Sequence, residues 1–174
     1  MKERKLSISL WYVLAAALIL ADQEVKLWVR RNMALGEARP FLPHFIELYH
    51  TANTGGAFSL FNRYTWALTA ISAVLTVLLA VILWKGMFAP NRFSRLCVTL
   101  VLAGAAGNLI DRAVFGRVTD MFNFTFMKFG VFNVADICVV GGVIGYAGYN
   151  IFAQFKEPAP DELIEDPHEA DRPQ

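Results

Sequence analysis

The sequence predicts a mainly α, polytopic membrane protein, with four transmembrane helices and a small extramembrane β element on the outer face. Three observations carry that expectation. Of the 174 residues 56% are hydrophobic, and the mean hydropathy is positive, which is more apolar than an ordinary soluble domain. Uncharged runs recur at close to the length, about 20 residues, that a helix needs to cross an apolar core of about 30 Å. Charge is also divided along the chain. Residues 157–174 hold seven acids against one Arg, which leaves fifteen basic and eight acidic residues, a net +7, on residues 1–156. We expect residues 1–156 to form a single four-helix membrane domain. The acidic, proline-containing stretch 157–174 reads as a disordered tail.

The first span covers about residues 8–29. MKERK, the uncharged run from Leu6 to Ala21 and the small-residue exit LILA would also suit a cleavable signal peptide. The apolar pattern runs on through Val25, Leu27, Trp28 and Val29, however, which argues for a retained helix. Asp22 and Lys26 interrupt it four residues apart, on one helix face and with the acid nearer the N-terminus, the favourable order for an ion pair. Such a pair either neutralises itself near the membrane surface or belongs to a site.

Residues 31–64 are the sizeable polar excursion, and HFIELYHTANTGGAFSLF within them alternates and is rich in β-branched and aromatic residues, so a β element is expected there. Asn53, Thr54, Gly55 and Gly56 supply turn chemistry in its middle. The element is a lid or connector, or else a substrate cradle in which Asn53 hydrogen-bonds and Gly55 lets a backbone approach closely; the residues leave both open. The second span is 65–84, which carries no charge. A short loop with Lys85, Arg92 and Arg95 leads to the third span at 96–114, and the fourth is 132–155.

Between two otherwise apolar segments lies GAAGNLIDRAVFGRVTDMFNFTFMKFGVFNVAD, Gly104 to Asp136, which carries Asp111, Asp120 and Asp136. An ionisable group at membrane depth costs a few kcal/mol even on lenient scales, so it marks a functional group facing a bundle interior or polar cavity. Lys and Arg are nearly balanced between the two sides, and orientation therefore rests on the N-terminal cluster, which puts both termini in the cytoplasm. Asp22 then lies twelve residues beyond Leu10 and Asn108 twelve beyond Leu96, each about 18 Å from the cytoplasmic end of its helix. Asp136 comes one turn into the fourth span, and Asp120 is expected in the loop just before it. All of these groups meet near the outer face, which solvated loop charges would have no reason to do.

Two carboxyl groups brought close in a low-dielectric setting share a proton, so that one activates water while the other donates to a carbonyl oxygen, the chemistry of aspartyl proteases. Asn133-x-x-Asp136 also reads as a helix N-cap, which is compatible with Asp136 as the base. Asp120 could be a plain loop acid. Cys97 and Cys138 fall at opposite ends of their spans, too far apart for a disulfide. There is no Cys or His cluster, phosphate-binding glycine loop or Ser-His pairing, and no metal, cofactor or nucleic-acid partner is expected. A proton-coupled transporter subunit would also use intramembrane acids, but internal repeats and broken helix pairs are not evident. An assembly factor glued by ion pairs would account for Asp22 with Lys26 and Asp111 with Arg112, and would leave Asp120 unexplained.

DQEVK at 22–26, NTGGAF at 53–58, GNLIDR at 107–112, VTD at 118–120 and FNVAD at 132–136 closely resemble the motif set of the lipoprotein signal peptidases, signal peptidase II. The resemblance implies a four-helix peptidase of the bacterial cytoplasmic membrane that removes signal peptides from diacylglyceryl-modified prolipoproteins, cutting just before the lipidated cysteine. Its partners would be that lipid-modified substrate and membrane lipid, with the active site near the outer leaflet. On the same basis Asp120 and Asp136 would be catalytic, while Asp22, Lys26, Asn53, Gly55, Gly107, Asn108, Asp111, Arg112 and Asn133 would bind substrate or support the site. Thr119 and Met121 stand where the family more often shows Val and Phe, and the acidic tail is extra; neither departure touches a carboxylate.

Overall fold

The computed structural model of the chain describes residues 2–54, 65–88 and 91–156, so Gly55, the rest of the 53–58 motif and the acidic tail at 157–174 lie outside the described residues. The element order is α1 (Lys2–Asn32), β1 (Ala38–Leu42), β2 (Ile46–Asn53), α2 (Thr65–Lys85), α3 (Arg92–Phe115), β3 (Val118–Phe124) and α4 (Val134–Lys156). Each helix holds a stretch long and apolar enough to cross a membrane: Ile8–Asn32, Trp66–Lys85, Arg92–Phe115 and Val134–Ala153.

Helix α3 is the centre of the bundle, in contact with α1, α2 and α4. Its start lies at Arg92, ahead of the expected 96, because the Asn91 side chain accepts the Ser94 N–H at 2.8 Å and caps it. Its end is set by Gly116, whose φ of 66° suits a left-handed cap and whose N–H bonds Arg112 O. Ala15, Leu83, Val98, Leu102 and Ala103 form the apolar core between α1, α2 and α3. On the α4 side the contact is closer. A Cβ on Gly104 would run into the Ala135 carbonyl oxygen and lie 2.7 Å from the Val139 side chain, so glycine lets the two backbones touch.

The three strands form one antiparallel sheet in the order β1-β2-β3. The third strand corrects the expectation that the β element ends near residue 64 and that Asp120 sits in a loop: Val118–Phe124 is a strand, and Asp120 is in it. Beyond β3 the chain folds back so that Met121 N–H and Phe122 N–H both bond Phe132 O, which holds Phe132 to the sheet and delays the start of α4 to Val134. Met121 packs with Val29 and Met33, seating the sheet on the end of α1. His50 adds a second tie, with its Nδ1 2.9 Å from Met33 O.

The pairing of β2 with β3 is irregular where it matters. From Leu48↔Phe122 to Thr51↔Asp120, β2 advances three residues while β3 advances two. The extra residue is a β-bulge. Side chains alternate faces along a strand, so an unbulged β2 would set His50 opposite Asp120 and turn Asn53 to the other face. With the bulge, Thr51 and Asn53 share the face of Asp120.

Candidate active site

Where the end of α1, the middle of α3, β3 and the start of α4 meet, the chain buries two kinds of polar group. One set is built on a buried cation. Lys26, fully buried, bridges two acids, with Nζ 2.8 Å from Asp22 Oδ2 and 3.6 Å from Asp111 Oδ2, and donates to Asn108 Oδ1 at 3.0 Å. Each acid then holds a second element. Asp22 Oδ1 accepts the Ala135 N–H at 2.8 Å, one of the donors that the first turn of α4 cannot satisfy internally. Asp111 Oδ2 accepts the Thr119 N–H at 2.9 Å and so fixes the start of β3. Gly107 is required beneath them, since a Cβ there would lie 2.6 Å from Asp22 Oδ2.

Amides hold the other set. Asp136 accepts the Asn108 side-chain amide at 2.8 Å and the Asn133 backbone N–H at 3.1 Å. Asn133 Oδ1 in return accepts the Asp136 N–H at 2.9 Å, a reciprocal cap on α4. The other end of the same Asn133 side chain donates to Asp120 Oδ1 at 2.6 Å, and Asn53 Nδ2 donates to Asp120 Oδ2 at 3.1 Å. One asparagine thus caps the helix that carries Asp136 and holds Asp120 on the strand beside it.

Burial, with the charge of Asp136 adding to it, raises the Asp120 carboxyl to about 7 despite the two amide donors and the Lys26 charge that oppose the shift. Both carboxylates line a cavity of about 770 Å³, with Asn53, Asn108 and Arg112 on its polar side and Phe129, Ile137 and Val140 on its apolar side. The arrangement supplies a proton donor and a second carboxylate in one partly dried pocket, with room for an extended chain and apolar groups.

The profile of the family described as signal peptidase (SPase) II matches residues 14–152. The chain belongs to the signal peptidase II family. It is similar to the lipoprotein signal peptidase of Bartonella quintana (strain Toulouse), 40% identical over 140 residues that span 78% of this chain and 83% of that protein. The lipoprotein signal peptidase of Brevibacillus brevis is 38% identical over 136 residues, covering 77% and 90%. A solved bacterial membrane enzyme, determined by the in meso method at 2.3 Å resolution, superposes with a TM-score of 0.77 at 26% identity, covering 87% of this chain and 94% of that one. A second such structure, at 1.9 Å, gives a TM-score of 0.73 at 26% identity, covering 86% and 95%. Signal peptidase II is a protease family, and this member is a multi-pass bacterial membrane protein.

The residues expected from the signal peptidase II motifs are brought together with two exceptions. Asp22, Lys26, Asn53, Gly107, Asn108, Asp111, Asp120, Asn133 and Asp136 fall in one connected cluster, while Gly55 lies outside the described residues. Arg112 lines the cavity without pairing with Asp111 as an ion-pair glue would require; its Nη1 lies 3.4 Å from Ser72 Oγ on α2. Asp111 turns instead to Lys26 and to Arg30.

Arg30 is a residue that sequence reasoning missed. Its Nη1 donates to Thr119 Oγ1 at 2.9 Å and lies 3.5 Å from Asp111 Oδ1, with the guanidinium 4.6 Å above the Phe115 ring. A signal was available: Asp22, Lys26 and Arg30 recur every four residues, one stripe along α1. Gln23 was also missed, and its Nε2 donates to Gly107 O at 3.1 Å.

Proposed function

We propose that this chain is an intramembrane aspartyl endopeptidase that removes signal peptides from diacylglyceryl-modified prolipoproteins, cleaving just before the lipidated cysteine. The observation that carries the reading is the pair Asp120 and Asp136, held by Asn133 between them and facing one cavity. Relatives named lipoprotein signal peptidase support the substrate class. The peptidase occupies residues 1–156, with both termini cytoplasmic and the carboxylates near the outer leaflet; residues 157–174 take no part in the chemistry.

Asp120, protonated below about 7, is the acid. Asp136 takes a proton from water as the water oxygen attacks the scissile carbonyl carbon, and Asp120 gives its proton to the carbonyl oxygen. Collapse of the resulting diol breaks the C–N bond and returns a proton to the amine that leaves on the cysteine side. Asn108, Asn133 and Asn53 hold the two carboxyl groups in position throughout, which matters because misplacement by about 1 Å can cost about a hundredfold in rate. Arg112 on the cavity wall and Asn53 at the end of β2 contact substrate; the apolar side takes its lipid.

The test is cleavage by purified protein of a diacylglyceryl-modified precursor and of the same precursor unmodified. The modified one should be preferred at least about tenfold in kcat/KM, because the lipid positions the scissile bond. Comparable cleavage of both would remove the lipid from the reading.

A further inference from the structure

The end of the sheet farthest from the carboxylates carries large apolar side chains, of which only Phe129 has a place in this chemistry, on the cavity wall. The turn between β1 and β2 meets the loop after β3 there, where Thr125 N–H bonds Phe45 O at 3.0 Å and the Phe45 and Phe126 rings stand edge to face at 6.1 Å. Phe41, Leu42, Phe45, Phe126, Met127 and Phe129 are each exposed by between 46% and 63%, yet all lie outside the candidate spans. Lys128 is exposed in their midst. A contiguous apolar surface of this kind on an extramembrane element marks something that covers it.

Its position says what that is. The same cavity is lined by Phe129 and Gly130 from this end of the sheet and by Ile137, Val140 and Gly141 from α4. Ile137, Val140 and Ile144 are 52%, 55% and 66% exposed and make a stripe at helical spacing, the flank of α4 that meets lipid. Val140 is only about 9 Å along the helix from Val134, where α4 begins. The sheet end therefore lies beside the exposed apolar flank of α4 near the start of that helix, and its exposed surface continues that flank. Aromatic and aliphatic side chains around a basic residue are the composition favoured at a membrane–water boundary.

We propose that residues 41–45 and 126–129 are an interfacial anchor that inserts into the bilayer beside the N-terminal end of α4, with Lys128 on lipid phosphate. The anchor holds the cavity mouth at the headgroup level.

Site-directed spin labelling of the full-length protein in lipid vesicles tests this without any cleavage assay, so its outcome is separate from that of the peptidase reading. Labels at Phe126→Cys and, as a second site, Met127→Cys are compared with Ile144→Cys as the lipid-facing reference; the native Cys97 and Cys138 are buried, and unsubstituted protein controls for their labelling. The expected result is greater relaxation by oxygen than by a water-soluble nickel chelate at both sites, shifted toward the Ile144→Cys value. Relaxation dominated by the nickel chelate at both sites overturns the proposal. So does spin–spin broadening that grows with protein density, which would mean that a second copy covers the patch. In vesicles containing phosphatidylglycerol, Lys128→Glu should shift the labels outward, with a smaller shift in pure phosphatidylcholine; equal shifts would overturn the role of Lys128.

Discussion

Asp22 and Asp111 on one side, Asp120 and Asp136 on the other, are four carboxylates in one cluster whose partners differ in kind. The first two face a buried lysine and also accept the backbone N–H groups of Ala135 and Thr119, while the second oxygen of Asp111 faces Arg30. The second two are held by neutral amides and open onto a cavity. A carboxylate matched to a buried cation holds the structure together, because either partner alone would be costly there. A carboxylate held by amides has no such partner, and burial raises that of Asp120 to about 7. Burial and proximity do not separate these pairs; the charge of the partner and access to the cavity do.

The contrast breaks first if the amide-held pair is dispensable. Asp120→Asn and Asp136→Asn should each lower kcat by roughly 10²–10⁴-fold or more with the fold retained, since each removes an acid or base and keeps the shape. Cleavage and thermal melting of the same samples check it, and near-normal turnover in either variant takes that residue out of the chemistry. The cation-held pair should fail differently. Lys26→Met leaves Asp22 buried without a counter-charge and Asp111 with Arg30 alone, an expected loss of about 3–5 kcal/mol of stability. A melting temperature close to that of the parent protein would show that Lys26 is not the keystone described above.

Asn53→Ala sharpens the comparison, because it removes one donor from Asp120 and leaves the charged set alone. Cleavage efficiency should fall by about tenfold with melting unchanged, the value of a hydrogen bond to a charged or reacting group. Losses in proportion to stability would make the segment a connector. The pH profile carries a sign as well. The proposed mechanism uses Asp120 protonated, and its carboxyl is raised to about 7, so activity should be present below that pH and be lost as pH rises through it. The Asn53 amide favours the ionised form, so its removal should move this alkaline limb to higher pH. A limb that stays put or moves down contradicts the assignment of Asp120 as the acid.

The spans were legible in the sequence because a hydrocarbon environment demands long uncharged runs, and so was the Asp22–Lys26 pair, because four residues make one helical turn. The reciprocal cap was legible from Asn133-x-x-Asp136. The third strand was not. Val118, Thr119, Asp120 and Met121 are buried in succession, so no alternation marks them as a strand. Their partner strand lies far back in the chain, Thr51 against Asp120. Asp111 and Arg112 were paired in one reading because they are neighbours, but adjacent residues on a helix do not face each other. Asp111 points inward to Lys26, and Arg112 lines the cavity.

The bulge in β2 makes a distant histidine answerable for Asn53. Without a restraint, the proximal half of β2 could slip by one residue, close the bulge and set His50 against Asp120. His50 is what resists the slip: its backbone N–H bonds Glu37 O, its carbonyl accepts the Gly36 N–H, and its ring reaches Met33 O. The registry that brings Asn53 to Asp120 is thus pinned from the β1 side of the sheet. His50→Ala should lower cleavage slightly by loosening that pin, and a double-mutant cycle with Asn53→Ala should be non-additive, since the second change would remove a contact the first had already weakened. Strictly additive losses would mean that strand registry and the Asn53 contact are set independently.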